Sequence, residues 1–286
     1  MSDQLKVAVI GAGTMGNGIV QVFADHGHQV TMVDMAEDAL ERGVANIQKS
    51  LARFVKKEKK TQAEVDQILA RISTSTDLET AVADVNLAVE AVFENEEVKK
   101  DLFRRMDGAA PADAILASNT SSISITKIAN STKRPDKVIG MHFMNPVPLM
   151  KLVEIIKGEL TSDETVQQTV AWSEGLGKVV GLAEDYPGFI ANRILMPMIN
   201  EAAFALMEGV GTRESIDTVL KFGCNFPMGP LTLADFIGLD ICVNILDVLH
   251  EGLGDPKYRC CPLLRRMVEA GKLGVKSGQG FYNHSR

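Results

Sequence analysis

The 286-residue sequence predicts an α/β fold in which a mostly parallel sheet is followed by an all-α C-terminal domain. In its first part, apolar runs of strand length alternate with amphipathic segments, a pattern typical of parallel strands joined by crossover helices. After the segment DYPG (Asp185 to Gly188) the strand pattern stops and helical periodicity dominates. We therefore place one domain at residues 1–187 and a second, helical domain at residues 188–286.

The first strand, turn and helix carry the strongest motif of the chain. An apolar run, Leu5 to Ile10, leads directly into three glycines, and a second apolar run ends at Asp34. Glycines at this spacing permit a tight turn, a close approach to a pyrophosphate, and close packing of the helix on the strand. The helix N-terminus then attracts phosphate. The pattern predicts a Rossmann-like dinucleotide site formed by Gly11, Ala12, Gly13, Thr14, Met15 and Gly16.

Asp34 bears on the choice of dinucleotide. A carboxylate at the end of the second strand can accept hydrogen bonds from ribose hydroxyls, and it would repel the 2′-phosphate of NADP. NADP sites usually carry an adjacent arginine, whereas Met35 and Ala36 follow here and Arg42 is the nearest base. The sequence therefore favours NAD, although a base folding in from elsewhere could reverse this preference.

The remaining elements follow in order. Residues 38–71 are a long, highly charged helical stretch that exceeds a simple crossover, which predicts an inserted helical hairpin turning near Lys60 and Thr61. Further strands are expected at Asn86 to Val92, Ile115 to Ser118, Val138 to His142, Lys151 to Ile156 and Lys178 to Gly181. In the second domain, helices are expected at Phe189 to Gly209, 212–222, 230–253 and 261–271.

Composition and charge narrow the class of protein. A net charge of −7 argues against nucleic acid as the main partner. No apolar run approaches the roughly 20 residues that span a bilayer, and the N-terminus lacks a secretory pattern, so we expect no membrane association and a cytoplasmic location. The four cysteines have no CxxC spacing, which makes a metal site unexpected. The adjacent Cys260 and Cys261 are either reduced bystanders or a strained vicinal disulfide.

Two strand ends carry candidate catalytic side chains. SNTSS (Ser118 to Ser122) follows one apolar run, and His142 ends another. Glu154 lies inside the apolar run KLVEII, where a buried carboxylate needs a partner to offset its desolvation. A His142–Glu154 pair would orient the imidazole and leave its other nitrogen free to exchange a proton with a substrate hydroxyl. The alternative is a structural His142 with Glu154 on an exposed strand face.

A basic segment points to a second ligand. KSLARFVKKEKK (Lys49 to Lys60) has six bases and a single acid in a chain that is acidic overall. Such a run is either a solvated helix face or an electrostatic clamp for a phosphate-bearing ligand distinct from the dinucleotide. Coenzyme A, with its 3′-phosphate and pyrophosphate, fits the second interpretation.

Taken together, these motifs resemble the short-chain L-3-hydroxyacyl-CoA dehydrogenases. The resemblance runs end to end through GAGTMGNGI, SNTSS, HFMNPVPLMKLVEI, DYPGFIANRIL, FPMGPLTLADFIGLD and GVKSGQGFY. It is strongest for bacterial members that act on 3-hydroxybutyryl-CoA and acetoacetyl-CoA. It implies NAD-dependent, reversible oxidation of a 3-hydroxyacyl-CoA thioester by hydride transfer, with a helical domain that forms a homodimer or a larger homo-oligomer.

The resemblance also assigns roles to individual residues. It implies that His142 is the general acid/base, Glu154 its partner, and Asn192 a ligand of the substrate's 3-oxygen. Ser121 matches a serine that hydrogen-bonds both substrate and nicotinamide. Positions that match the family's cofactor site are Gly11, Gly13, Gly16, Asp34, Glu94, Lys99, Asn119, Ser121, His142, Asn145 and Lys276. Ser50 and Lys57 fall where the family's hairpin meets coenzyme A.

Other functions remain open from sequence alone. A related hydroxyacid dehydrogenase acting on a free sugar acid would need no coenzyme A clamp. A lens crystallin or a dinucleotide-sensing module on the same scaffold would need no intact set of His142, Glu154, Ser121 and Asn192. Acyl chain length, and the direction in which the cell runs the reaction (fatty-acid breakdown, or synthesis of butyrate or a storage polymer), are not recorded in these residues.

Overall fold

The computed structural model describes residues 4–285 and divides into two compact units. The first unit ends at Tyr186 and the second begins at Pro187. The first combines a sheet with flanking helices, and the second is helical. The predicted fold class, a mostly parallel α/β domain followed by an all-α domain, is confirmed.

The first unit is built on one eight-stranded sheet. Its strands are β1 (Lys6–Ile10), β2 (Gln29–Val33), β3 (Ile72–Ser75), β4 (Leu87–Glu90), β5 (Ile115–Ser118), β6 (Val138–Phe143), β7 (Leu152–Lys157) and β8 (Val179–Glu184). Their spatial order is β3-β2-β1-β4-β5-β6-β7-β8. All neighbours pair in parallel except β6 and β7, which are antiparallel. The reversal of strand order beside β1 makes the carboxyl edge there the expected place for a ligand.

Helices cover the sheet and supply the inserted hairpin. They are α1 (Thr14–Asp25), α2 (Glu37–Lys56), α3 (Gln62–Leu69), α4 (Leu78–Val82), α5 (Glu96–Ala109), α6 (Ile125–Ala129) and α7 (Asp163–Gly175). The predicted hairpin is the pair α2 and α3, and α3 begins at a capping box formed by Thr61 and Glu64. The strands β4, β5 and β6 are buried on both faces, and their sequences are therefore mostly apolar.

The sequence pattern missed one strand of this unit and misplaced the end of another. β3 was not predicted, because its sequence ISTS is polar and only half-buried at the edge of the sheet. The last strand begins at Val179 and continues to Glu184, three residues past the predicted end. It lies at the other edge of the sheet, where an apolar pattern is not required on both faces.

In its described residues, up to 285, the second unit packs five α-helices around its own apolar core. They are α8 (Ala191–Met207), α9 (Arg213–Thr218), α10 (Pro230–Ile237), α11 (Leu239–Leu253) and α12 (Pro262–Glu269). The expectation of one helix over 230–253 was wrong: Gly238, at φ +105°, separates α10 from α11. The expected helix at 212–222 is α9 followed by a π-helical turn, Val219–Gly223.

Candidate active site

The turn between β1 and α1 has the geometry of a phosphate cradle. A Cβ added at Gly16 would lie 1.7 Å from the carbonyl oxygen of Gly11, so only glycine allows α1 to pack this closely on the turn. A Cβ at Gly13 would meet no protein atom within 4 Å. Packing within the chain therefore does not require glycine at position 13. The absence of a Cβ there keeps the space above the turn open.

The N-terminus of α1 faces the same turn. Its cap residue is Gly13, and no side chain of the described chain caps it. Thr14 and Met15 form its first helical positions. Helix N-terminal N–H groups that lack a side-chain cap are available to an anion, and the helix dipole favours negative charge there.

Asp34 stands directly after β2, beside this turn. One carboxylate oxygen accepts a hydrogen bond from the Ala12 N–H at 2.9 Å, and the other accepts one from the Ala36 N–H at 3.3 Å. The carboxylate thus fixes the turn while it stays half-buried at the sheet edge. Arg42, the arginine nearest to Asp34 in sequence, is ion-paired with Asp38, and Arg105, which lines the same cavity as Asp34, is ion-paired with Glu79.

A cavity of about 520 Å³ opens next to Asp34 within the first unit. Its walls include Gly13, Val33 and Ala91, and two large apolar side chains at its margin are exposed, Met35 at 89% and Phe93 at 67%. An apolar slot beside a glycine turn and a half-buried carboxylate suits an adenine ring. The open space over Gly13, the uncapped helix and this slot together fit a dinucleotide.

The register of β6 and β7 pairs the candidate acid/base residues. His142 is the cross-strand neighbour of Glu154 in this antiparallel pair, so both side chains stand on the same face of the sheet. The Nδ1 atom of His142 lies 2.8 Å from an Oε atom of Glu154, and both residues are buried. The carboxylate therefore accepts Nδ1–H and directs Nε2 of the imidazole away from Glu154.

Ser121 extends this arrangement into a chain of three side chains. Its Oγ lies 3.1 Å from Nε2 of His142. Asn119, two residues earlier, accepts a hydrogen bond from the Phe143 N–H at 2.9 Å, which ties the end of β5 to the end of β6. Ser121 and His142 therefore meet where two neighbouring parallel strands reach the carboxyl edge of the sheet.

Glu94 organises the SNTSS loop that carries Ser121. One of its carboxylate oxygens accepts hydrogen bonds from the Ser121 N–H at 2.9 Å, from the Ser122 N–H at 3.1 Å and from the Thr120 hydroxyl. Burial alone would raise the pKa of Glu94. The Lys99 ammonium and these hydrogen bonds outweigh burial and hold that pKa below its ordinary value.

Beneath the loop lies a buried network that sequence reasoning missed. The Lys99 ammonium contacts Glu90 at 2.5 Å and Glu94 at 3.3 Å, and its side chain is 1% exposed. Glu90 also accepts hydrogen bonds from the Ser118 hydroxyl at 2.6 Å and the Val92 N–H at 2.7 Å. A signal was available, because Glu90 is an acid inside the apolar run NLAVEAV, as Glu154 is in KLVEII.

The remaining predicted site residues lie elsewhere. Asn145 belongs to the connection between β6 and β7, Ser50 lies within α2, and Lys57 is the C-cap residue of α2. Asn192 and Lys276 belong to the second unit, where Asn192 is buried in the first turn of α8 and Lys276 is ion-paired with Asp240 at 2.6 Å. The structure thus brings Glu94, Asn119, Ser121, His142 and Glu154 together in the first unit.

Among residues 4–285, no three His, Cys, Asp or Glu side chains are grouped so that they could hold a metal ion. None of the helices in this same range is long and apolar enough to span a bilayer.

Comparison with known proteins agrees with this geometry. Residues 6–186 match the sequence-family model "3-hydroxyacyl-CoA dehydrogenase, NAD binding domain". Residues 188–284 match the model "3-hydroxyacyl-CoA dehydrogenase, C-terminal domain". The chain is 53% identical to a "Probable 3-hydroxybutyryl-CoA dehydrogenase" of Bacillus subtilis, over 98% of this chain and 97% of the relative. It is 44% identical to the human mitochondrial hydroxyacyl-coenzyme A dehydrogenase, over 97% and 90% of the two chains.

A solved structure is similar over the same span. The crystal structure of (S)-3-hydroxybutyryl-CoA dehydrogenase from Ralstonia eutropha matches with a TM-score of 0.96 and 48% identity, covering 99% of this chain and all of that one. The resemblance inferred from the motifs is confirmed, as is NAD as the cofactor. The chain therefore belongs to the 3-hydroxyacyl-CoA dehydrogenase family of NAD-dependent oxidoreductases.

Proposed function

We propose that this protein catalyses the reversible, NAD-dependent oxidation of (S)-3-hydroxybutyryl-CoA to acetoacetyl-CoA. The observation that carries the proposal is the chain Ser121–His142–Glu154 at the carboxyl edge of the sheet that holds the dinucleotide turn. A proton-exchanging imidazole beside a nicotinamide is the arrangement that alcohol oxidation by hydride transfer requires. Relatives named for 3-hydroxybutyryl-CoA, at 48–54% identity, support the substrate.

The proposed proton path follows from the orientation of the imidazole. Neutral His142 donates Nδ1–H to Glu154, so Nε2 has a lone pair with which to remove the proton of the 3-hydroxyl group. Glu154 then stabilises the imidazolium that forms. Bound NAD would supply the acceptor for the hydride from C3 of the substrate. In the reverse direction the His142 imidazolium returns its proton to the oxygen of the 3-ketone.

The neighbouring residues are proposed to hold the substrate and the nicotinamide. Ser121, within 3.1 Å of the proton-accepting nitrogen, is placed to hydrogen-bond the same substrate oxygen. The role of Asn192 as a ligand of the 3-oxygen, which the family motifs imply, stays a prediction. Asn119, Asn145 and Lys276 remain proposed cofactor contacts, as matched by the family motifs.

Glu94 and Lys99 are also proposed to serve the cofactor, in different ways. Glu94 is 37% exposed in its side chain and can face a ligand, whereas the ammonium of Lys99 is enclosed by Glu90 and Glu94. We therefore expect Lys99 to act on the cofactor through the carboxylate of Glu94. This differs from the direct contact that the motif match alone suggests.

The coenzyme A part of the substrate is proposed to meet the α2–α3 hairpin. Lys57, the C-cap residue of α2, is exposed, and Ser50, within α2, is half-exposed. Of the bases in the Lys49 to Lys60 segment, Lys60 forms an ion pair with Asp25 at 2.5 Å and so is partly neutralised. Lys57 therefore remains a candidate for a phosphate contact, and replacing it by Met should raise KM for acetoacetyl-CoA with little change in kcat.

We also propose a homodimer, or a larger homo-oligomer, formed through the second unit. Several large apolar side chains of that unit are exposed, among them Ile194 at 68%, Val210 at 77% and Phe222 at 75%. Exposed apolar surface of this kind marks sites of protein association. Sedimentation velocity on the purified protein would test the proposal, and a monomer at micromolar concentration would contradict it.

A cytoplasmic location and a role in fatty-acid or butyrate metabolism stay predictions.

The test of the proposed function is NADH consumption with acetoacetyl-CoA. We expect turnover with the thioester and little with free acetoacetate, and a strong preference for NADH over NADPH because Asp34 would repel a 2′-phosphate. His142→Ala should lower kcat by about 10²- to 10⁴-fold while NADH binding survives. His250→Ala, which removes an exposed histidine of α11, is the matched control and should leave kcat unchanged. Comparable turnover of free acetoacetate would favour a free-acid dehydrogenase instead.

A further inference from the structure

The connection between β6 and β7 (residues 144–151) joins the two strands that carry the acid/base pair. His142 lies two residues before it and Glu154 three residues after it, and Asn145 is part of it. The connection is therefore continuous in the chain with both strands that carry the pair. The connection has no helix or strand of its own to hold it.

Lys178 holds this connection from one side. Its ammonium donates hydrogen bonds to the carbonyl oxygens of Val147 at 2.6 Å and Met150 at 2.7 Å. The next residue, Val179, donates its backbone N–H to the carbonyl oxygen of Lys151 at 2.8 Å. Together these bonds fix three carbonyl groups of the connection to the start of β8.

The dinucleotide helix α1 closes the connection from the other side. Val147 is 2% exposed, and a Cβ added at Gly18 of α1 would lie 2.9 Å from the Cβ of Val147. The backbone of α1 therefore packs directly on Val147. The connection is held between the helix that faces the cofactor and the ammonium of Lys178.

Burial of the Lys178 ammonium carries a desolvation penalty. Lys178 is 9% exposed, and burial lowers its pKa. In the described part of the chain its ammonium contacts carbonyl groups and no carboxylate. An apolar side chain of similar length would avoid this desolvation, but it would leave the two carbonyl groups without their donor.

We propose that Lys178 is a positioning residue, whose ammonium fixes the β6–β7 connection and thereby the alignment of His142 with Glu154 and the placement of Asn145. The proposal rests on the dehydrogenase activity proposed above. Lys178 touches neither substrate nor cofactor in this role. It acts through the backbone of residues 147–150, between the acid/base pair and α1.

The test compares three variants in the NADH-consumption assay. Lys178→Met removes the donor at nearly constant length and should lower kcat at least about 10-fold, because small misplacements of catalytic groups cost this much or more. KM for acetoacetyl-CoA should change less than kcat. Lys178→Arg keeps charged donors and should recover most of the lost kcat. Lys151→Met, which removes an exposed lysine of the same connection, is the matched control and should behave as wild type.

The outcomes separate this proposal from the one on which it rests. A folded Lys178→Met protein with kcat within twofold of an active wild type would overturn the positioning role. So would a loss of kcat that Lys178→Arg does not reduce. Wild-type protein inactive on acetoacetyl-CoA would overturn the proposed function.

A second measurement needs no variant. In the wild-type protein the Nζ protons of Lys178 should exchange with water slowly enough to be observed by NMR, because the ammonium is buried and donates to two carbonyl groups. Exchange as fast as that of an exposed lysine would contradict the proposal even where Lys178→Met fails to fold.

Discussion

Replacing Glu154 by Gln isolates the contribution of one buried charge to the proposed reaction. Glu154 is 2% exposed, and its carboxylate lies 2.8 Å from Nδ1 of His142. Glutamine has the same size and can occupy the same position between β6 and β7. The substitution therefore removes the charge that stabilises the His142 imidazolium while the packing is kept.

The expected loss can be worked out from this contact. A hydrogen bond to a charged group contributes about 1.5–3 kcal/mol, which corresponds to a roughly 10- to 150-fold effect on a rate if the imidazolium forms in the transition state. A further loss is expected because the amide can present either its oxygen or its NH₂ group to Nδ1, so it no longer selects the Nδ1–H tautomer. We therefore expect kcat to fall by at least about 10-fold.

The assay is steady-state NADH consumption with acetoacetyl-CoA, together with NADH binding by fluorescence. Binding of NADH should be unchanged, since Glu154 is buried and contacts His142 at Nδ1, on the side of the ring away from Nε2. Glu159→Gln, which neutralises an exposed glutamate just beyond β7, is the matched control and should retain wild-type kcat. A Glu154→Gln protein that is folded and turns over within threefold of wild type would refute the role assigned to the pair.

Three further predictions concern the turn, the loop and the thiols. Gly16→Ala should fold poorly, because its Cβ would overlap the carbonyl oxygen of Gly11, whereas Gly13→Ala should melt like wild type and show a KM for NAD raised at least about 10-fold. Glu94→Gln should lower kcat about 10-fold or more by releasing the SNTSS loop. Because the folded pKa of Glu94 lies below its ordinary value, its stabilising effect is fully present above that ordinary value and is lost as the pH falls through the folded pKa, and acid melting curves of Glu94→Gln should lack this component. With a thiol reagent at pH 8, Cys224 alone should react rapidly in the native protein, since the other three thiols are buried and burial raises their pKa values, to about 12 and about 11 for two of them; rapid reaction of a second thiol would contradict this.

The pairing of His142 with Glu154 could be predicted because each residue carried a local signal. A histidine at a strand end and an acid inside an apolar strand both stand out in sequence, and the antiparallel register of β6 and β7 then places them opposite each other. The antiparallel direction itself was also accessible. Residues 144–151 are too few for a crossover between parallel strands, which needs roughly a dozen residues or more.

Other contacts depend on distances that no local pattern records. Lys99 lies on α5, yet its ammonium contacts two carboxylates that hold the ends of β4 and the SNTSS loop. Lys178 precedes an edge strand, and its hydrogen-bond partners are backbone carbonyl groups. Since every residue has such a group, the residue types in the sequence cannot predict these partners. Gly238 ended a helix inside an uninterrupted apolar pattern, and a single glycine in such a pattern does not by itself predict a break.

In the proposed reaction, hydride passes between the dinucleotide and C3 of a coenzyme A thioester under acid/base control by His142. Transfer of deuterium from labelled NADH tests this step. With acetoacetyl-CoA and NADH carrying deuterium at both C4 positions, the wild-type protein should give a 3-hydroxybutyryl-CoA product that contains one deuterium on C3, by mass spectrometry and NMR. His142→Ala should form this product at a rate lowered by about 10²-fold or more. NADH consumed without deuterium on C3, or an equal rate in the variant, would contradict the account.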